Sequence, residues 1–171
     1  MQFGRSWKEM FADIKERFPG GYETPDEMKA VSEPLFYEYS RNTDIIFPDA
    51  RKLLAHLEAH HAKMTVVSGS TRQQILKQVQ LAGVGACITN VISCEDISIG
   101  KPNPEGYLKG CGLLKIPPRE CIAFEDKDIG VHAAKAAGMR CCLVVRPGNP
   151  PQSNCLPDWK VESLDEFLEL F

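Results

Sequence analysis

The chain has 171 residues, enough for one domain with a real core, or for a core domain plus a small appendage. Its net charge of −3, with lysines and arginines scattered rather than gathered beside aromatics, gives no reason to expect nucleic acid as a partner. No run approaches the ~18 apolar residues of a membrane span and no apolar leader opens the sequence, so a cytoplasmic setting without membrane contact is expected.

Residues 1–42 read as helical. Trp7, Met10, Phe11 and Ile14 recur at helical spacing, with Ser6 as N-cap and Glu9 as its capping-box partner. Phe18-Pro19-Gly20-Gly21 ends that helix. Thr24-Pro25-Asp26-Glu27 starts another, with a capping residue, a proline in the first turn and acids near the positive end of the dipole. This second helix carries Met28, Val31, Leu35, Phe36 and Tyr39 on or near one face, and Pro34 is expected to kink or divide it. Residues 1–44 therefore predict a small helical lobe.

From residue 45 the pattern changes. A helix is expected through about His60, with Leu53, Leu54 and Leu57 as its core stripe, and then a short apolar strand, Met64–Val67. Ser68-Gly69-Ser70-Thr71 leads into a helix bearing Ile75, Leu76 and Val79 that closes near Gly83. A weaker strand lies within Val84–Ile92. Ile99–Pro104 is a rigid loop before a helix ending near Gly112. Cys121–Phe124 is the next strand, Val131–Ala137 a short helix, and Cys141–Val145 the last strand. Arg146–Pro157 is surface loop, and Ser163 and Asp165 precede a terminal helix. Short strands alternating with helices predict a parallel, Rossmann-like α/β sheet covered on both faces.

Seven cysteines form an odd set without paired zinc-knuckle spacing, so free structural thiols are expected. His56 and His60 share a helical face, but no third ligand completes a metal pattern.

Parallel topology brings the carboxyl ends of the strands to one edge, where open α/β sheets place their ligands. Three polar clusters meet there: Ser68-Gly69-Ser70, Lys101, and Glu125-Asp126 followed by Asp128. A hydroxyl and N–H groups at a helix start receive oxyanions, a lysine adds compact positive charge, and adjacent carboxylates suit a hard cation such as Mg2+. Each cluster also has a plainer reading, as helix cap, solvated lysine and solvated turn, and the residues alone leave both open.

Taken in order, TVVSGSTR, GKPNPEGY and AFEDKDIGVHAAKAAGM resemble the haloacid dehalogenase-like superfamily of phosphohydrolases, nearest to its beta-phosphoglucomutase and small sugar-phosphatase subgroup. The resemblance covers essentially the whole chain. It implies that Ser68, Gly69 and Ser70 bind phosphoryl oxygens, with Ser68 and Lys101 as catalytic groups. Lys101 would offset charge, Asp126 would hold Mg2+, and Glu125 would help directly or through water. It also implies a small phosphorylated metabolite as substrate and a partial helical cap over residues 1–44, ahead of a core over residues 45–171. In the cap, Arg5 and Ser6 would contact the non-reacting part of the substrate. Lys127 stands where the family has a small residue, often serine.

One departure is large. Family members open with a strand ending in DxDGT/S, whose first aspartate attacks phosphorus and whose second handles the proton. The only D-x-D here, Asp126-Lys127-Asp128, lies in the acidic motif and lacks the G-T/S sequel. That opening strand normally lies mid-sheet, so a sheet without it is expected to have a gap roughly 10 Å wide with unpaired backbone on both sides. Either the 171 residues begin late within a longer parent, or the sheet closes up or borrows a strand from another copy, with hydrolysis lost. Self-association through unpaired strands follows from the second. A phosphatase, a phosphosugar mutase and a non-catalytic phosphate- or partner-binding protein are the readings carried forward, with little or no turnover expected from this chain by itself.

Overall fold

The computed structural model describes residues 7–17, 19–44, 46–86, 88, 90–147 and 156–170, without the side chains of 7–10, 13 and 40–42. Arg5, Ser6 with its expected cap, the Trp7 side chain, Cys87 and Cys155 lie outside the described residues. The chain divides into two compact units, residues 1–45 and 46–171.

The first unit is a helix pair, α1 (Trp7–Arg17) and α2 (Pro25–Asn42). Thr24 Oγ1 accepts the Glu27 N–H at 3.1 Å, so the expected cap starts α2 with Pro25 in its first turn. Pro34 sits inside an unbroken α2 and does not divide it. The expected apolar face is only partly a core: Met28 is buried, whereas Val31, Leu35 and Tyr39 are exposed. A two-helix unit has one seam to bury, which is too little surface to cover a full stripe.

The second unit is α/β. Its elements are α3 (Pro48–Ala59), β1 (Thr65–Val67), α4 (Arg72–Leu81), β2 (Asn90–Ile92), α5 (Glu105–Leu114), β3 (Ile122–Glu125), α6 (Asp128–Ala136), β4 (Arg140–Val144), β5 (Trp159–Val161) and α7 (Leu164–Leu168). Trp159–Val161 is a strand that the sequence pattern did not reveal, because three residues with a lysine in the middle carry no periodic signal. It pairs in parallel with β4, and Trp159 and Phe124 both pack edge-on against Phe167 of α7.

Among the described residues the strand pairings are parallel and form two ladders, β1-β2 and β3-β4-β5. In β1 the Ser68 N–H donates to Ile92 O at 2.9 Å, so Val66 and Ser68 turn their backbone groups to β2. Thr65 and Val67 therefore turn theirs to the opposite edge. In β3 the Arg140 N–H donates to Cys121 O at 3.2 Å, which leaves Ile122 and Phe124 facing away from β4. No ladder joins β1 to β3. The division falls where the resemblance puts its opening strand.

Helix α5 spans the two ladders. A Cβ on Gly106 would come within 2.8 Å of Val67 Cγ1, and one on Gly110 within 3.3 Å of Thr65 Cγ2, so glycines let this face lie close on β1. Tyr107 and Cys111, one position on, enter a core with Ala123, Val131, Ala134, Cys141 and Leu143. The other face of β3-β4-β5 packs Cys142, Val144 and Val161 against Leu53, Leu164 and Phe167. Alternate residues of β4 thus serve opposite cores, which explains its continuous apolar run. Burial pushes the Cys111 and Cys142 thiols up to about 11 and Cys141 to about 12, so they act as small hydrophobes. Among the described residues the cysteines are free and no helix is long and apolar enough to cross a membrane.

Asp49 ties the far core together. Its buried carboxylate accepts from Arg146 Nη2 at 2.7 Å, the Leu164 N–H at 2.8 Å and the Ser163 hydroxyl at 3.2 Å. Burial raises its pKa, but the Leu164 and Arg146 contacts outweigh that and hold it below the usual carboxylate range. A depressed folded pKa gives stability that is present above the unfolded value of about 3.9 and is lost as pH falls through the folded one. Asp49→Ala is expected to cost about 3 kcal/mol in urea unfolding at neutral pH, because Arg146 is left without its buried partner. The difference from wild type should shrink below about pH 4. A gap unchanged down to about pH 2 would contradict the ion-pair account.

Candidate phosphate and cation site

The hydroxyl turn, the lysine loop and the acidic bend each have a local cause. Thr71 caps α4, accepting the Gln74 N–H at 3.3 Å, while Gln74 Oε1 accepts the Thr71 N–H at 3.1 Å. Capping thus falls to Thr71 and leaves Ser68 at the carboxyl end of β1. Ser68 Oγ accepts the Ser70 N–H at 3.1 Å, closing the turn on itself. An oxyanion arriving here exchanges an internal hydrogen bond rather than finding a bare amide. Gly69, between them, is exposed.

The loop carrying Lys101 is anchored by Glu105 in the first turn of α5. Its carboxylate accepts the Ser98 and Ile99 N–H groups at 3.0 Å and Lys109 Nζ at 2.7 Å. Lys109, then those two amides, pull the Glu105 pKa down to about 2. With its base held, the loop directs Lys101 Nζ to two acceptors: Val67 O at 3.2 Å and Glu125 Oε1 at 2.5 Å. Lys101 therefore links the last residue of β1 to the last residue of β3. Ser68 adjoins the first of these and Asp126 the second, so the three clusters meet at one edge.

Glu125 is held on every side. Its side chain is 9% exposed, and Oε1 accepts from the Tyr107 hydroxyl as well as from Lys101. Oε2 lies against Gly130, where any Cβ would overlap the carboxylate. Asp126 and Lys127 form the bend, and α6 begins at the buried Asp128. Tyr107 and Gly130 are site residues to which the motif reading gave no role. The signal for Gly130 was a glycine in the first turn of a helix, a costly place to put one.

A hard cation fits this donor set. Among the described residues no three His, Cys, Asp or Glu side chains gather closely enough to cage a metal, and His56 and His60 simply lie ring to ring at 4.3 Å. Mg2+ needs no cage: it keeps several waters and takes one or two carboxylates. Half-buried Asp126, with Glu125 Oε2 alongside in sequence, offers oxygens of that kind.

The family model described as haloacid dehalogenase-like hydrolase matches residues 14–144. The chain is 31% identical over 138 residues to validoxylamine A 7'-phosphate phosphatase of Streptomyces hygroscopicus subsp. limoneus, covering 81% of this chain and 64% of that protein. It is 32% identical over 120 residues to hexitol phosphatase A of Escherichia coli, covering 70% and 55% respectively. The bifunctional riboflavin kinase/FMN phosphatase of Arabidopsis thaliana is 30% identical over 136 residues, which make up 78% of this chain and 35% of that one. The chain thus spans less than two thirds of each of these relatives. Among solved structures, CbbY of Rhodobacter sphaeroides in complex with phosphate superposes with a TM-score of 0.78 at 22% identity, covering 95% of this chain and 75% of that one. Beta-phosphoglucomutase from Clostridium difficile does so at 0.74 and 20% identity, covering 98% and 77%.

The packing of Gly130 predicts non-additive substitutions. Gly130→Ala should destabilise by about 1–3 kcal/mol, because the methyl displaces a carboxylate held by Lys101 and Tyr107. With Glu125→Ala already present, the same change should be neutral or stabilising by up to about 1 kcal/mol, since alanine is the better helix former. Equal effects in both backgrounds, read from chemical denaturation, would rule the contact out.

Proposed function

Because the chain belongs to the haloacid dehalogenase-like hydrolases, we propose that it supports Mg2+-dependent phosphatase chemistry on a small phosphomonoester such as a sugar phosphate, in the cytoplasm. We further propose that the 171 residues by themselves turn over little or not at all. The observation that carries the reading is Lys101, with Nζ on Val67 O and Glu125 Oε1 at the meeting point of the motif loops.

The roles follow from the chemistry of each group. Ser68 and the amides of Gly69 and Ser70 receive phosphoryl oxygens, and Lys101 offsets their charge. Asp126, with Glu125, holds the cation, which when bound neutralises phosphate charge. Lys101 is already paired with Glu125, so an incoming phosphate gains little net attraction until a cation offsets the carboxylates. Phosphate and Mg2+ therefore favour each other's binding. As the resemblance implies, residues 1–44 contribute part of a cap that excludes water and selects the leaving group, and Arg5 and Ser6 contribute to substrate choice.

The nucleophile has no counterpart in this sequence. Burial holds the thiols of Cys111, Cys141 and Cys142 protonated inside the cores. Covalent transfer needs a carboxylate from a DxDGT/S strand, which these 171 residues lack. The separate β1 and β3 edges favour one further reading, a non-catalytic phosphate binder that self-associates through those edges.

Three measurements test this. Phosphomonoesterase activity with Mg2+ should be near background for the chain as it stands. It should appear once an apolar strand ending in DxDGT is fused ahead of Met1, and fall at least about 100-fold with Lys101→Ala in that fusion. Strong turnover by the short chain that vanishes with Asp126→Ala would overturn the inactivity. A fusion that neither turns over nor binds phosphate would overturn the phosphatase reading. Light scattering after size exclusion should show the short chain partly dimeric and the fusion monomeric; two monomers would exclude edge pairing.

A further inference from the structure

Tyr107 lies in the first turns of α5, and its ring is buried with Cys111, Ala134 and Leu143. A residue that only filled this core would need no hydroxyl, and phenylalanine would cost less, since a buried phenol must find a partner. The partner found is Glu125 Oε1, the same oxygen that accepts Lys101 Nζ at 2.5 Å. The Lys101 ammonium also stands 5.0 Å from the Tyr107 ring centroid, within reach of its negative face. One side chain therefore touches both members of the pair on which the site is built.

This arrangement has a chemical consequence. If Lys101 alone held Glu125, carboxylate and ammonium would move together, and a phosphate drawing Lys101 forward would drag Glu125 with it. The Tyr107 hydroxyl, fixed to a helix that also packs on β1, anchors the carboxylate independently. With Gly130 behind Oε2, Glu125 keeps one orientation whether or not Lys101 leans toward an anion.

We propose that Tyr107 is a positioning residue that holds the Glu125 carboxylate in place, so that Lys101 serves the phosphate while Glu125 remains beside Asp126 for the cation. The inference rests on the phosphate-and-Mg2+ reading above and adds to it a residue that couples the two ligands.

The test uses the full chain, with inorganic phosphate and MgCl2 as probes in isothermal titration calorimetry. Wild type should bind phosphate more tightly when Mg2+ is present. Tyr107→Phe keeps the ring and removes only the hydroxyl; it should weaken Mg2+-dependent phosphate binding about tenfold, the scale of one hydrogen bond to a charged group. Leu170→Ala, at an exposed position beyond α7, should match wild type. Because Tyr107 acts through Glu125, adding Tyr107→Phe to Glu125→Gln should change the affinity no further. Proton NMR should show a downfield hydroxyl resonance that is absent in Tyr107→Phe and moves when Mg2+ is added to wild type.

If wild type binds neither probe, this proposal fails, and the phosphatase reading falls with it only if the DxDGT fusion also neither turns over nor binds phosphate. If wild type binds both and Tyr107→Phe binds them equally well, only the positioning role is overturned. Loss of affinity that adds fully to that of Glu125→Gln would also overturn it, since the effect would then be one of general packing.

Discussion

The ammonium of Lys101 closes a seam that backbone pairing leaves open. Two parallel ladders sit side by side in the α/β unit without a hydrogen-bonded rung between β1 and β3. At their carboxyl ends Lys101 takes the unused Val67 carbonyl on one side and the Glu125 carboxylate on the other. With Glu125 9% exposed and Lys101 23% exposed, solvent screens this pair far less than a surface salt bridge. The site residues thus double as the contact that sets the spacing of the two ladders at the functional edge.

Helix α5 makes that contact possible. Its sequence, EGYLKGCGLL, carries Gly106 and Gly110 one turn apart on one side and Tyr107 and Cys111 one turn apart on the next. Small residues let the helix settle on β1, and larger ones fill the core under β3. Glu105 at its start fixes the loop that aims Lys101. A helix of ten residues therefore supplies the base, the spacing and the anchor of the ion pair.

The chemistry available here is electrostatic more than nucleophilic. Hydroxyl, amides, ammonium and carboxylates are in place at one edge, while the thiols of Cys141 and Cys142 are buried and protonated. Under the proposed reading such a set would take an anion and a hard cation together, because each relieves the repulsion the other would feel.

Where a signal acts over a few residues, the sequence was legible. Thr24, Thr71 and Ser163 cap helices through bonds to amides two or three positions away, and the acids after Phe124 fall at a strand end as their pattern requires. Parallel topology brought the three loops to one edge, and the resemblance added the role expected of each. Other features needed the folded chain: β5 exists because Trp159 has α7 to pack on, and Val31, Leu35 and Tyr39 are exposed because α2 has too small a partner surface. Asp49 meets Leu164 across 115 positions, and Tyr107 meets Glu125 across 18, as no local rule could have foretold. Hydrogen bonds within a turn are written into neighbouring side chains, whereas a buried carboxylate's partners are set by which helices and strands end up against it.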